Sequence, residues 1–119
     1  MKLKEIINLL EAEVICGGED PDMEIRAAFA SDFMSDILAM ASDEELLITG
    51  MLNPQVVRTA EMMDMSCIIF VRGKRPGEDM VRLAQECGMT VLSTQKLMFT
   101  SCGILYSSGL GNKDAGHSS

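Results

Sequence analysis

The sequence has no tryptophan, one tyrosine and one histidine among its 119 residues. It also lacks an apolar run near the ~20 residues that a membrane-spanning helix needs, so a membrane protein is excluded. The single histidine, His117, lies in a Gly- and Ser-rich stretch, which argues against catalysis that depends on histidine. The first residues, MKLKEIINLLEAE, carry charges throughout. They predict a helix rather than a secretory signal, and therefore a cytoplasmic protein.

The common nucleotide-binding motifs are missing as well. The sequence contains neither GxxxxGK[ST] nor GxGxxG, so phosphoryl transfer on a P-loop and a dinucleotide fingerprint are excluded. A serine or cysteine nucleophile would have no histidine as its general base. We therefore expect a protein that is not an enzyme, with no catalytic residues, no cofactor and no metal site.

The four cysteines form no CxxC pair, and no histidine lies at metal-ligand spacing from them. Cys16 and Cys67 lie in apolar, strand-like runs, where cysteine usually behaves as a small buried hydrophobe. Cys87 and Cys102 each precede a glycine. Reduced, mostly buried thiols are the simplest interpretation, and an iron–sulfur or thiol redox role is the alternative that only the fold can decide.

Charge is distributed unevenly along the chain. Residues 1–50 carry 12 acidic and 3 basic side chains, or −9, whereas residues 51–119 carry 6 acidic and 7 basic, or +1, which gives the net −8. An acidic chain without a basic stripe argues against nucleic acid as a partner. Five of the ten basic residues fall between Arg58 and Arg82, where a small anion would bind. The acidic half indicates either a solvated face or a surface for a basic partner.

Hydrophobic periodicity predicts one three-layer α/β domain with a mostly parallel sheet, covering residues 1–110, and a flexible tail over 111–119. Strand, helix, strand, helix and strand alternate from residue 46, as in right-handed βαβ units. The predicted strands are 13–16, 24–30, 46–49, 67–71 and 90–93. The predicted helices are 2–13, 31–41 with Ser31 or Ser35 as its cap, 53–65, 76–87 and 95–108.

Three loops should meet at one edge of this sheet, because the carboxyl ends of parallel strands and the amino ends of the following helices lie together. The turn RGKR supplies three cations, and helix amino ends offer N–H groups, so the edge suits a phosphate or carboxylate. The alternative is that these residues are helix caps and a solvated loop. The candidate anion-binding residues are Thr49, Gly50, Asn53, Gln55, Arg58, Arg72, Gly73, Lys74, Ser93 and Thr94.

Two further features have two interpretations each. Asp32 and Asp36 lie four residues apart and either share a cation with Ser35 or serve as cap and first-turn carboxylates. Met62, Met63 and Met65 are either core filler or an adaptable contact surface. A chain this apolar is expected to expose some apolar area, which agrees with a homodimer.

Several segments in order resemble one known family: KLKEIINLLEAEVICGGED, SDFMSDILA, LLITGMLNPQVVRTAEMMDM, CIIFVRGKRP and FTSCGILY. Together they are similar to the DRTGG-domain family over about residues 2–110, and more narrowly to its small stand-alone members from anaerobic, largely clostridial bacteria. The literal string DRTGG does not occur in this chain, so no role is carried over for that signature.

The resemblance implies a fold similar to the N-terminal domain of HPr kinase/phosphorylase, without a kinase active site. It also implies a regulatory or assembly module that forms a homodimer, since such domains accompany CBS domains in regulated pyrophosphatases and precede phosphotransacetylase domains. Stand-alone members are often encoded beside hydrogenase subunits and sensor-kinase-like proteins, which suggests partners in redox metabolism. No catalytic residues are carried over from the family, and Ser31, Asp32, Ser35 and Asp36 join the candidate positions.

Overall fold

The computed structural model describes residues 1–111. The predicted tail lies outside this range, apart from Gly111. The five helices are α1 (Leu3–Leu10), α2 (Met34–Met40), α3 (Pro54–Met62), α4 (Glu78–Glu86) and α5 (Met98–Ser107). The five strands are β1 (Glu13–Cys16), β2 (Ala28–Ala30), β3 (Leu46–Thr49), β4 (Cys67–Phe70) and β5 (Thr90–Ser93).

All five strands form one sheet in the order β1-β5-β4-β3-β2. The pairs β2–β3, β3–β4 and β4–β5 are parallel, and β1 pairs with β5 antiparallel. The central strands β3, β4 and β5 are buried at every position, as strands covered on both faces must be. The mostly parallel sheet of the sequence prediction is confirmed.

Two apolar layers sandwich the sheet, and alternate residues of each strand enter alternate layers. In the first layer, α2, α3 and α4 pack on one sheet face through Ile37, Val57 and Ala84. In the second, α1 and α5 pack on the other face through Ile6 and Leu105. This arrangement confirms the predicted three-layer α/β domain. Leu110 is buried in the second layer, so the core extends at least to this residue.

Each of the five predicted helices and the strand predicted over 24–30 is shorter in the structure by three or four residues. Two of these elements show the reason. The strand expected from residue 24 begins at Ala28, because the Ile25 N–H donates to the Met1 carbonyl at 2.8 Å rather than to a sheet neighbour. The helix expected from residue 95 begins at Met98, because the Lys96 N–H donates to Thr94 Oγ1 and the Lys96 carbonyl accepts from the Arg72 N–H. In both places a tertiary contact engages a backbone group, Ile25 with Met1 and Lys96 with Arg72.

Within residues 1–111, no helix combines the length and the apolar character needed to cross a membrane.

Glu45 holds the chain that enters the edge strand β2. Its carboxylate accepts hydrogen bonds from the backbone N–H of Arg26 (3.0 Å) and Ala27 (3.3 Å) and from the Arg26 guanidinium (2.8 Å). Partial burial raises the Glu45 pKa, but these hydrogen bonds outweigh it and hold that pKa below its ordinary value. The sequence prediction gave Glu45 no role.

Glu45→Gln is expected to lower the free energy of unfolding by about 1–2 kcal/mol at pH 7, because charge-assisted hydrogen bonds become neutral ones. A carboxyl whose folded-state pKa is lowered contributes stability above its unfolded-state pKa and loses it as the pH falls through the folded-state pKa. The difference between the two proteins should therefore shrink below about pH 4.5, the ordinary value for glutamate. Urea titrations at a series of pH values measure it, and a constant difference would contradict the role of the charge.

Candidate functional site

The carboxyl end of the parallel sheet gathers residues from four loops. Asp32 follows β2, Thr49 and Gly50 end β3, Arg72 to Lys74 follow β4, and Ser93 and Thr94 end β5. The structure thus brings together Thr49, Gly50, Arg72, Gly73, Lys74, Ser93 and Thr94 of the predicted set at one edge. Asp32 joins them from the second group of candidates.

Asp32 is bound to the end of β3. Its Oδ1 accepts a hydrogen bond from the Gly50 N–H at 2.7 Å and another from the Thr49 hydroxyl at 3.3 Å. The same hydroxyl accepts from the Met51 N–H at 3.1 Å. The donors predicted for an anionic ligand at Thr49 and Gly50 are therefore engaged by a carboxylate of the protein itself.

Gly50 is buried because the Arg72 side chain lies directly over it. A Cβ at position 50 would overlap the Arg72 guanidinium, with the Cζ 3.1 Å and the Nε 3.2 Å away. The Arg72 guanidinium and the Asp32 carboxylate therefore both contact Gly50, yet they form no ion pair within 4.0 Å in the described part of the chain. A cation and an anion thus lie side by side at the carboxyl end of β3.

The turn after β4 is fixed by the loop after β5. Arg72 and Gly73 have left-handed φ values of 60° and 69°. Their N–H groups donate to the carbonyls of Lys96 (2.9 Å) and Thr94 (2.8 Å). Gln95 lies against Gly73, so that a Cβ there would be 2.7 Å from the Gln95 Oε1. The sequence prediction placed Gln95 in this loop but not among the candidate residues.

The hydroxyls of Ser93 and Thr94 bind backbone carbonyls. Ser93 Oγ donates to the Lys74 carbonyl at 2.8 Å, and Thr94 Oγ1 donates to the Leu10 carbonyl at 2.7 Å. Both side chains are buried. Ser93 therefore fixes the position of the cationic turn, and Thr94 ties the end of α1 to the sheet.

The predicted cap of α3 is confirmed. Asn53 precedes Pro54 at the helix start, and its Oδ1 accepts from the Gln55 N–H at 2.9 Å. Gln55 itself is exposed in the first turn of α3. These two residues lie at the same end of the sheet as the cluster around Gly50.

Arg58 does not join the cluster. It lies on the second turn of α3, and its charge acts on the Cys87 thiol, which follows the last residue of α4. The carboxyl end of α4 lies beside the amino ends of the parallel strands, whereas Arg72 lies at their carboxyl ends. The sequence could not show this, because residue 58 is separated from residue 87 by a strand and a helix.

For the residues around α2, the sequence predicts a helix cap and offers a cation site, and the structure shows only part of this. Ser31 Oγ accepts from the Phe33 N–H at 3.0 Å in the turn ahead of the helix, whereas the N-cap residue is Phe33 and makes no side-chain cap. Ser35 and Asp36 are exposed on the first turn of α2. Among residues 1–111, no three His, Cys, Asp or Glu side chains form a group able to hold a metal ion.

Two other cations near the sheet edge are paired with carboxylates. Arg75 binds Glu13 on β1, and this hydrogen bond holds the Glu13 pKa below its ordinary value. Lys96 pairs with Glu11 at 3.1 Å. In the part of the chain that the structure describes, Arg72 and Lys74 form no such pair, so their charges remain available to a ligand.

The four thiols are free rather than paired in disulfides. Cys16 and Cys67 are buried, as the sequence predicts, and Cys87 and Cys102 are partly buried. Burial raises the pKa of all four thiols, most strongly at Cys67. A raised pKa keeps a thiol protonated and lowers its reactivity as a nucleophile.

The protein is thus an α/β domain with an open sheet, and it carries a cationic turn at the carboxyl ends of its parallel strands. A family model described as the DRTGG domain matches residues 5–108, and the chain belongs to that family. No curated protein sequence matches the chain.

A solved structure similar to this chain contains the CBS and DRTGG domains of the regulatory region of Clostridium perfringens pyrophosphatase, complexed with the activator diadenosine tetraphosphate. The TM-score is 0.72 at 18% sequence identity, and the match covers 94% of this chain and 49% of the other. This chain therefore spans about half the length of that regulatory-region chain. At this identity the similarity shows the shared fold.

Proposed function

We propose that the protein is a non-catalytic regulatory domain that binds a small anionic ligand, a nucleotide or phosphorylated metabolite, at the carboxyl end of its parallel strands. We further propose that it acts as a homodimer. The ligand proposal rests on one observation, namely which lysines and arginines form ion pairs with carboxylates and which do not. Of the nine lysines and arginines in residues 1–111, six form ion pairs and three do not, namely Arg58, Arg72 and Lys74. Arg58 lies on α3, whereas Arg72 and Lys74 lie together on one turn of the sheet edge.

Arg72 and Lys74 would supply the charge that recognises the ligand. The Arg72 guanidinium presents several N–H donors in a plane that suits phosphate or carboxylate oxygens. Lys74 adds a second positive charge two residues away. The hydrogen bonds of Arg72 N–H, Gly73 N–H and Ser93 Oγ hold this turn in place before any ligand arrives. Little conformational entropy is then lost in the turn when a ligand binds.

A role outside catalysis is supported by the chemistry of the same edge. The Ser93 and Thr94 hydroxyls already donate to backbone carbonyls, and residues 1–111 contain no histidine to activate a nucleophile. The similar pyrophosphatase structure is a regulatory region with a bound activator, and this supports a regulatory role here.

The test is calorimetric titration of wild-type protein with diadenosine tetraphosphate, ADP and pyrophosphate, after a thermal-shift screen of the same compounds. A ligand at 100 times its dissociation constant adds about 2.7 kcal/mol, which raises the melting temperature by several degrees in a domain of this size. For a compound that binds, Arg72→Ala combined with Lys74→Ala should raise the dissociation constant at least about tenfold, or ~1.4 kcal/mol.

Two variants make this test specific. Arg82→Ala removes an exposed cation of α4 and should leave the affinity unchanged. Asp32→Asn keeps an oxygen for the Gly50 N–H but removes the negative charge beside Arg72, and should raise the affinity severalfold. Equal affinities in all four proteins would overturn the assignment to this edge.

The resemblance to stand-alone family members also suggests protein partners. We propose that the module regulates a hydrogenase or sensor-kinase assembly. Affinity purification of the native complex from anaerobically grown cells tests this partner directly. If none of the three anions shifts the melting temperature, the anion proposal fails, and a ligand-free structural role in such an assembly takes its place.

A further inference from the structure

The last helix, α5, differs from the rest of the chain in its charge. Residues 97–112 contain no acidic or basic side chain, although charged residues make up 24% of the sequence. A helix without charged residues is typical of an element that is covered on all sides. In this structure α5 is covered on one side alone, through Ser101 and Leu105, which are buried against the sheet.

The opposite side of α5 forms an exposed stripe of five residues, which we call the α5 stripe: Phe99, Thr100, Gly103, Tyr106 and Ser107. Phe99 is 88% exposed and Tyr106 is 53% exposed. Gly103 lies at the centre of the stripe, and a Cβ built there meets no atom within 4 Å. The spacing of these residues places the two aromatic side chains on one flank and the two hydroxyl side chains on the other.

A groove of about 460 Å³ runs along the aromatic flank of the stripe, between α5 and the edge strand β2. Its floor is formed by Ala28 and Ala30, whose small side chains leave this end of the sheet thinly covered. Phe99 and Tyr106 both line the groove as well as the stripe. The groove and the aromatic flank of the stripe therefore form one continuous apolar surface.

We propose that the α5 stripe is the surface through which two copies of this chain associate, with the two α5 helices antiparallel about a two-fold axis at Gly103. Such an axis sets like flank beside like flank, and places residues three or four positions before 103 next to residues three or four positions after it. Phe99 then lies beside Tyr106 of the second copy on the aromatic flank, and Thr100 lies beside Ser107 of the second copy on the other. Gly103 faces its own equivalent, where the missing side chain lets the helices approach closely.

A second copy fits this surface by charge and by self-complementarity. Each copy carries a net charge of −8, so two copies repel each other overall. The α5 stripe brings no like charges together. A two-fold interface requires one patch to match itself, and pairing of aromatic with aromatic and hydroxyl with hydroxyl meets that requirement.

The exposed area of Phe99 and Tyr106 is large enough to form a substantial part of a stable dimer interface. At about 200 Å² for a fully exposed aromatic side chain, the exposed fractions of Phe99 and Tyr106 supply roughly 280 Å² per copy. Two copies thus contribute nearly half of the ~1,200 Å² found in the smaller stable interfaces. The groove walls and the hydroxyl flank adjoin these residues and supply further area.

This inference rests on the homodimer of the proposed function but not on its anion site. Sedimentation velocity over a concentration series measures the dimer dissociation constant of the full chain. Gly103→Gln should raise that constant at least tenfold, because its side chain separates the two helices at the axis. The fold of the monomer should be retained, since the space beside Gly103 is open and glutamine favours helix more than glycine does.

Met62→Gln is the matched control, since Met62 is 71% exposed on α3, which packs on the other sheet face. It should leave the dissociation constant unchanged. A wild-type protein that stays monomeric would overturn the dimer and this interface together. A dimer that Gly103→Gln leaves intact would overturn the interface alone, and anion titration of the same proteins separates either result from the ligand proposal.

The antiparallel register has its own test by cysteine cross-linking in a Cys102→Ser background. A mixture of Phe99→Cys and Tyr106→Cys proteins should form a disulfide-linked dimer under mild oxidation, because these positions are neighbours across the axis. Phe99→Cys alone should not cross-link, since its two copies lie about two helical turns apart. Cross-linking of Phe99→Cys with itself would overturn the antiparallel arrangement.

Discussion

Phe70→Ala is expected to lower the free energy of unfolding by about 3–5 kcal/mol. Phe70 ends the central strand β4, is fully buried, and packs in the layer formed by α2, α3 and α4. Its backbone pairs with Thr49 on one side and Ser93 on the other, so the surrounding strands cannot collapse into the space that the ring leaves. The variant loses both the transfer free energy of the ring and the contacts of the cavity lining.

Urea denaturation followed by circular dichroism measures this loss. A domain of this size is stable by about 5–15 kcal/mol, so the variant should approach the limit of stable folding. Phe33→Ala is the matched control, because Phe33 is 67% exposed just ahead of α2. Its effect should stay within about 0.5 kcal/mol. Similar losses for the two variants would show that the ring of Phe70 is not packed as described.

Gly17→Ala is expected to destabilise the protein by about 2–4 kcal/mol. Two costs add up in this value, that of a left-handed backbone conformation and that of the steric overlap of the new Cβ. Gly17 has a φ of 74° just after β1, and a Cβ there would lie 2.7 Å from the Thr90 Cα and 3.0 Å from the Met89 carbonyl oxygen. Both neighbours belong to the backbone at the start of β5, which cannot move aside as a side-chain tip can. The next residue, Gly18, is fixed to the same strand by its N–H, which donates to Thr90 Oγ1 at 3.2 Å.

Gly88→Ala separates the two contributions. Gly88 has a similar φ of 68°, but a Cβ there meets no atom within 4 Å. This variant should lose about 1–2 kcal/mol, the cost of the left-handed conformation alone. Both free energies come from the same urea titrations. If Gly88→Ala proved as destabilising as Gly17→Ala, the close approach of β1 to β5 would not be the cause.

The central part of the fold could be predicted because its signals are local. The continuous apolar run of β4 and the Asn-Pro start of α3 each predict one element without reference to the rest of the chain. The alternation of such elements then predicts parallel strands through the handedness of βαβ units. The predicted helices and the strand over 24–30 run past the observed ends. At residues 24–27 and 95–97 the backbone is held instead by contacts with Met1, Glu45 and Arg72, which lie far away in sequence.

The candidate site could be predicted in outline but not in its internal contacts. Placing Thr49, Arg72 and Ser93 at one edge follows from strand direction alone. The sequence does not show that Asp32 binds the Gly50 N–H or that Ser93 binds the Lys74 carbonyl, because each contact depends on how two loops meet. The sequence predicts a role for Arg58 because it is basic and close to the other cations along the chain, but its helix directs it towards Cys87.

The sequence by itself determined the class of fold, the helix cap at Asn53, the burial of Cys16 and Cys67, and the cationic turn after the strongest strand. These follow from periodicity, composition and short-range backbone chemistry. The tertiary structure alone decided which hydrogen-bond donors of the sheet edge are already engaged, which cations are paired, and which side of α5 remains uncovered. These properties depend on contacts such as that of Thr94 with Leu10, 84 residues apart, and packing of the whole chain sets such contacts.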